Sequence, residues 1–88
     1  MSILIAEDNA VQRRYLSEIL TREFPSHMPV IEAENGEAAI RSAIENRPSL
    51  CILDIQMPET SGVKAARVIW REYPEARIIF WTQFPHEV

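Results

Sequence analysis

The stretch "LCILDIQMPETSG", residues 50–62, decides the reading of this chain. Four apolar residues, Leu50, Cys51, Ile52 and Leu53, run straight into Asp54; Met57-Pro58 follows, and Gly62 closes the stretch. A short, continuously apolar run is what a parallel strand covered on both faces requires. A carboxylate at the end of such a strand is costly unless it is paired, hydrogen-bonded or bound to a metal. Something must be using Asp54.

Outward from that strand, taken as residues 49–54, the chain alternates short apolar runs with longer periodic ones. Upstream, residues 37–46 have helical spacing with Ala39, Ile40, Ala43 and Ile44 inward, after an Asn35-Gly36 turn and before Pro48. Residues 29–34, "PVIEAE", read as a strand near a sheet edge, because Pro29 cannot donate a ladder hydrogen bond. Residues 10–24 carry Val11, Tyr15, Leu16, Ile19, Leu20 and Phe24 at helical spacing, with Asp8 or Asn9 as cap and Pro25 as stop. Residues 2–6 are the first strand. Downstream, residues 61–73 place Val63, Ala66, Ile69, Trp70 and Tyr73 on one helical face, and residues 77–81, "RIIFW", form a fourth strand. The order β-α-β-α-β-α-β predicts an α/β fold with a doubly wound parallel sheet. In such sheets ligands sit beyond the carboxyl ends of the strands, where the strand order reverses.

The totals narrow the function classes. Eighty-eight residues allow one small domain, and 47% hydrophobic with 25% charged residues is an ordinary globular composition. A formal net charge of −4 argues against nucleic-acid or anionic-membrane contact. No apolar run approaches the roughly 18 residues of a membrane span, and the start lacks the pattern of a secretory signal. The single cysteine, Cys51, permits no internal disulfide, is read as a core residue, and fits a cytoplasmic setting.

On this plan Glu7 and Asp8 follow the first strand, Asp54 ends the third and Thr82 follows the fourth, so all four share one rim. Three carboxylates converging there repel one another unless a cation intervenes, and magnesium with oxygen ligands is the economical choice. No Cys/His cluster exists for zinc; His27 and His86 read as solvated loop residues. A carboxylate beside magnesium can act as a nucleophile toward phosphorus, with a hydroxyl such as Thr82 on the phosphoryl oxygens. Nucleotide-binding glycine loops are absent. Taken alone, Glu7 and Asp8 also fit a helix-capping acidic pair, and Glu32, Glu34 and Glu37 a solvated surface.

Together "ILIAEDN", "AENGEAAI", "LDIQMPETSG" and "IIFWT" resemble, in order and spacing, the receiver domain of two-component response regulators. The resemblance runs over the whole chain and implies a flavodoxin-like fold with strand order 2-1-3-4. It implies that Glu7, Asp8, Asp54 and the backbone carbonyl of Gln56 hold Mg2+, that Asp54 accepts a phosphoryl group from a sensor histidine kinase, and that Thr82 is the switch hydroxyl. The domain would be a signalling switch rather than a turnover enzyme.

The match breaks at the C-terminal end. The family has a fifth strand with a lysine facing the phospho-acceptor, and then a fifth helix; the one lysine here is Lys64, in the third helix. Residues 1–88 are therefore read as an incomplete receiver whose fourth strand offers an open edge for self-association. Two rivals stand beside the phospho-acceptor. One is a degenerate receiver serving as a phosphorylation-independent interaction module, favoured by the missing lysine. The other is an aspartate-nucleophile phosphatase, disfavoured because Gln56 stands where that chemistry needs a carboxyl acid/base.

Overall fold

Seven elements alternate in the computed structural model, which describes residues 1–81: strand β1 (Ile3–Ala6), helix α1 (Ala10–Glu23), β2 (Val30–Ala33), α2 (Gly36–Asn46), β3 (Leu50–Asp54), α3 (Gly62–Glu72) and β4 (Ile78–Trp81). The strands form one parallel sheet in the order β2-β1-β3-β4, so the α/β plan and the strand order expected from the sequence both hold. Pro29 sits beside an edge strand, as its missing N–H requires. The observed strands start one residue later than their sequence readings. Even so, the carbonyls of Ser2, Pro29 and Arg77 accept the first rungs, from Ser49, Ile3 and Cys51.

Register assigns each strand residue to a face. Leu4, Ala6, Ala33, Cys51 and Leu53 share one side and meet Ala39 and Ala43 of α2 and Ala65, Ala66 and Ile69 of α3 in the main core. Alanines dominate the helical side of this contact, which lets the helices lie close to the sheet. Burying one of the larger side chains, Leu4, Leu53 or Ile69, is worth roughly 1.5–3 kcal/mol. The opposite face carries Ile3, Ile5, Ile52 and Ile79, with α1 packed over β1 and β2. Ile3 and Ile5 are fully buried, whereas Ile79 is 51% exposed. The expectation that β3 is covered on both faces therefore holds only in part: Leu50 and Ile52 are half-buried among the described residues, because α1 lies toward the β2 side.

The helices depart from their sequence readings in one respect. On α1, Leu16, Ile19 and Leu20 turn inward, but Val11 and Tyr15 are exposed, and Ser17 is the buried residue of the helix. On α3, Val63 and Trp70 are exposed rather than in the core. The Trp70 indole N–H donates to the Ala76 carbonyl at 3.0 Å, and the Tyr73 hydroxyl donates to the Pro48 carbonyl at 3.0 Å. These two bonds tie the end of α3 to the segments that lead into β3 and β4. Cys51 is wholly buried, and burial pushes its thiol up to about 11, as befits a core residue.

Candidate functional site

β1 lies between β2 and β3, so the chain reverses direction across the sheet at β1 and leaves a crevice beyond the carboxyl ends of β1 and β3. Glu7 is the next residue after β1. Its N–H continues the ladder to the Ala33 carbonyl at 3.1 Å, which turns its side chain into the protein and leaves it fully buried. One carboxylate oxygen, Oε2, accepts from the Asn9 N–H at 2.8 Å. The other, Oε1, is buried without a hydrogen-bond partner. Asp8 follows and is exposed. Asn9, one of the two residues considered as the cap, takes that role: its side chain accepts from the Gln12 N–H at 3.0 Å.

From the neighbouring strand, Asp54 reaches the same crevice. It is 2% exposed, and its Oδ1 accepts from the Gln56 N–H at 3.1 Å. The loop after it is held at both ends. Met57 drops into the main core, and the Gly62 N–H donates back to the Ile55 carbonyl at 3.0 Å. Between them Glu59 takes a left-handed conformation at φ 69°. Gly62 is required here, since a Cβ at this position would collide with the Asp54 carbonyl oxygen. Ser61 then caps α3 by accepting from the Lys64 N–H at 3.2 Å. The spacing from Asp54 to Gly62 thus matches a chain that must turn back against the strand it has just left.

Carboxylate oxygens of Glu7, Asp8 and Asp54 lie within 4.8 Å of one another. Burial first, and then the Asp54 carboxyl next to it, push Glu7 up to about 7 from an ordinary 4.5. A buried carboxylate oxygen without a donor, facing two further carboxylates, fits a hard divalent cation with oxygen ligands. Asp54, Glu7 and Asp8 are brought together as the sequence predicts, and Gln56 lies directly beside them. Thr82 lies outside the described residues. Lys64 is exposed on α3 and His27 is exposed in the α1–β2 connection.

Arg13, which no sequence motif singles out, and Glu32, expected on a solvated surface, also belong to this end of the molecule. The Arg13 guanidinium donates to the Glu7 carbonyl at 2.7 Å and to the Glu32 carboxylate at 3.2 Å. Glu32 is therefore engaged rather than merely solvated. The pairing rests on the register that sets Glu32 beside Ile5, on the face where α1 lies.

Residues 3–87 match the response regulator receiver domain. The protein-glutamate methylesterase/protein-glutamine glutaminase 4 of Myxococcus xanthus is 39% identical over 88 residues, taking in 100% of this chain and 25% of that protein. Oxygen regulatory protein NreC of Staphylococcus epidermidis is 38% identical over 89 residues, covering 99% of this chain and 40% of that protein. Among solved structures, the response regulator TrrA of Thermotoga maritima in complex with Mg(2+)-BeF is similar with a TM-score of 0.85 and 34% identity, over 97% of this chain and 71% of that one. TrrA bound to the histidine kinase ThkA gives a TM-score of 0.82 at 34% identity, with the same coverage, 97% and 71%. The chain spans only a quarter to two-fifths of the length of the two curated relatives. Matched over residues 3–87, the chain belongs to the response regulator receiver domain family.

Proposed function

We propose that this chain is the phospho-accepting part of a two-component switch, with Asp54 as acceptor. The observation that carries the reading is the meeting of three carboxylates at the switch point, one of them holding a buried oxygen with no donor. Glu7, Asp8 and Asp54, with the backbone carbonyl of Gln56, would hold Mg2+. When bound, the ion would offset the negative charge of a phosphoryl group approaching this acidic rim.

The donor is a phosphohistidine on a sensor kinase, a partner class supported by the ThkA complex of TrrA. An Asp54 carboxylate oxygen attacks phosphorus and forms an O–P bond. The N–P bond to the imidazole breaks, and the imidazole nitrogen keeps the electron pair and takes a proton. Asp54 is ready for this because its hydrogen bond from Gln56 fixes the side chain while the short β3–α3 loop holds its backbone. Thr82 then engages the new acyl phosphate, and the equilibrium of the β4 end shifts with it. The setting is cytoplasmic, and no helix among the described residues is long and apolar enough to cross a membrane. The relatives carry different outputs, a methylesterase and an oxygen regulator, so the shared region supplies the switch and not the output. The chain associates with itself through β4, which pairs only with β3 among the described residues.

Intact mass after incubation with a small phosphodonor and magnesium tests the central step. A phosphoryl adduct that is lost in Asp54→Asn is expected. A chain that binds magnesium yet forms no adduct would instead be a phosphorylation-independent interaction module.

A further inference from the structure

Arg13 spans two parts of the molecule that no backbone hydrogen bond of α1 joins. Its Nη1 donates to the carbonyl oxygen of Glu7 at 2.7 Å, and its Nε donates to Glu32 Oε1 at 3.2 Å. The Arg13 side chain is 16% exposed and the Glu32 side chain 28%, so the guanidinium is the more enclosed member of a pair that solvent still reaches. Glu32 stands on the edge strand at the register position of Ile5. The carbonyl that Arg13 holds belongs to the same planar peptide unit as the Asp8 N–H. Rotating that plane would re-aim Asp8, the one exposed member of the acidic trio, relative to Glu7 and Asp54.

The geometry points to Arg13 as a positioning residue of the cation site: anchored on Glu32, it fixes the Glu7–Asp8 peptide plane and so sets how the acidic pair meets Asp54. This rests on the magnesium reading proposed above. Arg13 touches neither Asp54 nor a ligand oxygen, and it acts through the backbone that carries two ligands. Outer partners of metal ligands commonly govern affinity by about 10–100-fold. Arg14 supplies an internal control, because it lies 3.6 Å from the same Glu32 carboxylate, is 70% exposed, and has no hydrogen bond to Glu7.

The test is a magnesium titration of the parent chain, Arg13→Ala, Arg13→Lys, Glu32→Gln and Arg14→Ala, followed by the amide shifts of Asp8 and Asn9. Urea unfolding is recorded for each. Arg13→Ala is expected to weaken magnesium binding about tenfold. Arg13→Lys should recover part of this, since an ammonium can reach the carbonyl but cannot fork to both partners. Glu32→Gln should fall between the two, and Arg14→Ala should bind as the parent does even where it loses stability. Parental affinity in Arg13→Ala, or an equal loss in Arg14→Ala, overturns the inference while leaving the cation site standing. If Arg13→Ala does not fold, parental affinity in both Arg13→Lys and Glu32→Gln overturns it. A parent chain that does not bind magnesium removes the reading of the rim itself, and the role of Arg13 falls with it.

Discussion

Glu7 shows how one side chain ties folding to chemistry. In the unfolded chain it releases its proton near 4.5, but in the native chain burial holds the proton to about 7. Between those values the native state carries more protons than the unfolded state, so this residue makes stability fall as pH rises from about 4.5 to about 7 and adds nothing further above that. Glu7→Gln removes the penalty. Its urea midpoint at pH 8 without metal should exceed that of the parent, with a gain on the order of 2 kcal/mol. A cation that needs the ionised carboxylate must displace the proton below pH 7, so magnesium affinity should rise toward about tenfold per pH unit there and level off above. Calorimetric titrations at pH 6 and pH 8 check this, and equal affinities would remove Glu7 from the ligand set. The carboxylates themselves were legible in the sequence, because each sits where an apolar strand ends. The unpartnered Oε1 was not, since it depends on the Glu7 ladder bond to Ala33, which only the parallel pairing of two strands creates.

At the scale of elements, the close approach of α3 to β3 is the feature that places Asp54. Gly62 opens α3 with its backbone against the Asp54 carbonyl, and there is no space for a Cβ between them. Gly62→Ala should therefore cost about 3 kcal/mol, as overpacking of a tight contact does. Because the contact is to Asp54, the proposed acceptor, the same change should also lower the yield of phosphoryl adduct. A variant with parental stability and adduct yield would show that the loop relaxes freely. Strands and α2 were readable because their apolar residues are fully or half buried, and periodicity reports burial. The α1 helix was less so: Val11 and Tyr15 have the right spacing, but α1 sits over β1 and β2 and leaves them in solvent. The Arg13–Glu32 pair escaped for the same reason, as its meaning depends on which strand α1 covers.

For the whole molecule, the two sheet faces are unequal. Among the described residues one is closed by α2 and α3, while the other shows Ile79 half in solvent along the outermost strand. An apolar strand at a sheet edge with unused backbone donors and acceptors is a template for another strand. Sedimentation velocity over a wide concentration range should show a coefficient that rises with concentration for the parent. Ile79→Lys, which sets a charge on that strand, should restore a single, concentration-independent boundary. A parent that already behaves so would rule out pairing through β4.

The central place of β1 has a consequence for how the chain reaches its working form. Glu7 and Asp8 are made early in the sequence and Asp54 late, yet they meet only when β3 docks on the far side of β1 from β2. Pairing β1 with β3 closes a longer loop than pairing β1 with β2, and the acidic trio exists only in chains that have completed that crossing. An ion that bridges the trio then has no counterpart site in unfolded or half-assembled chains, and it stabilises the finished topology by mass action alone. Metal occupancy, if the rim holds an ion as proposed, would thus report that β3 has docked beside β1.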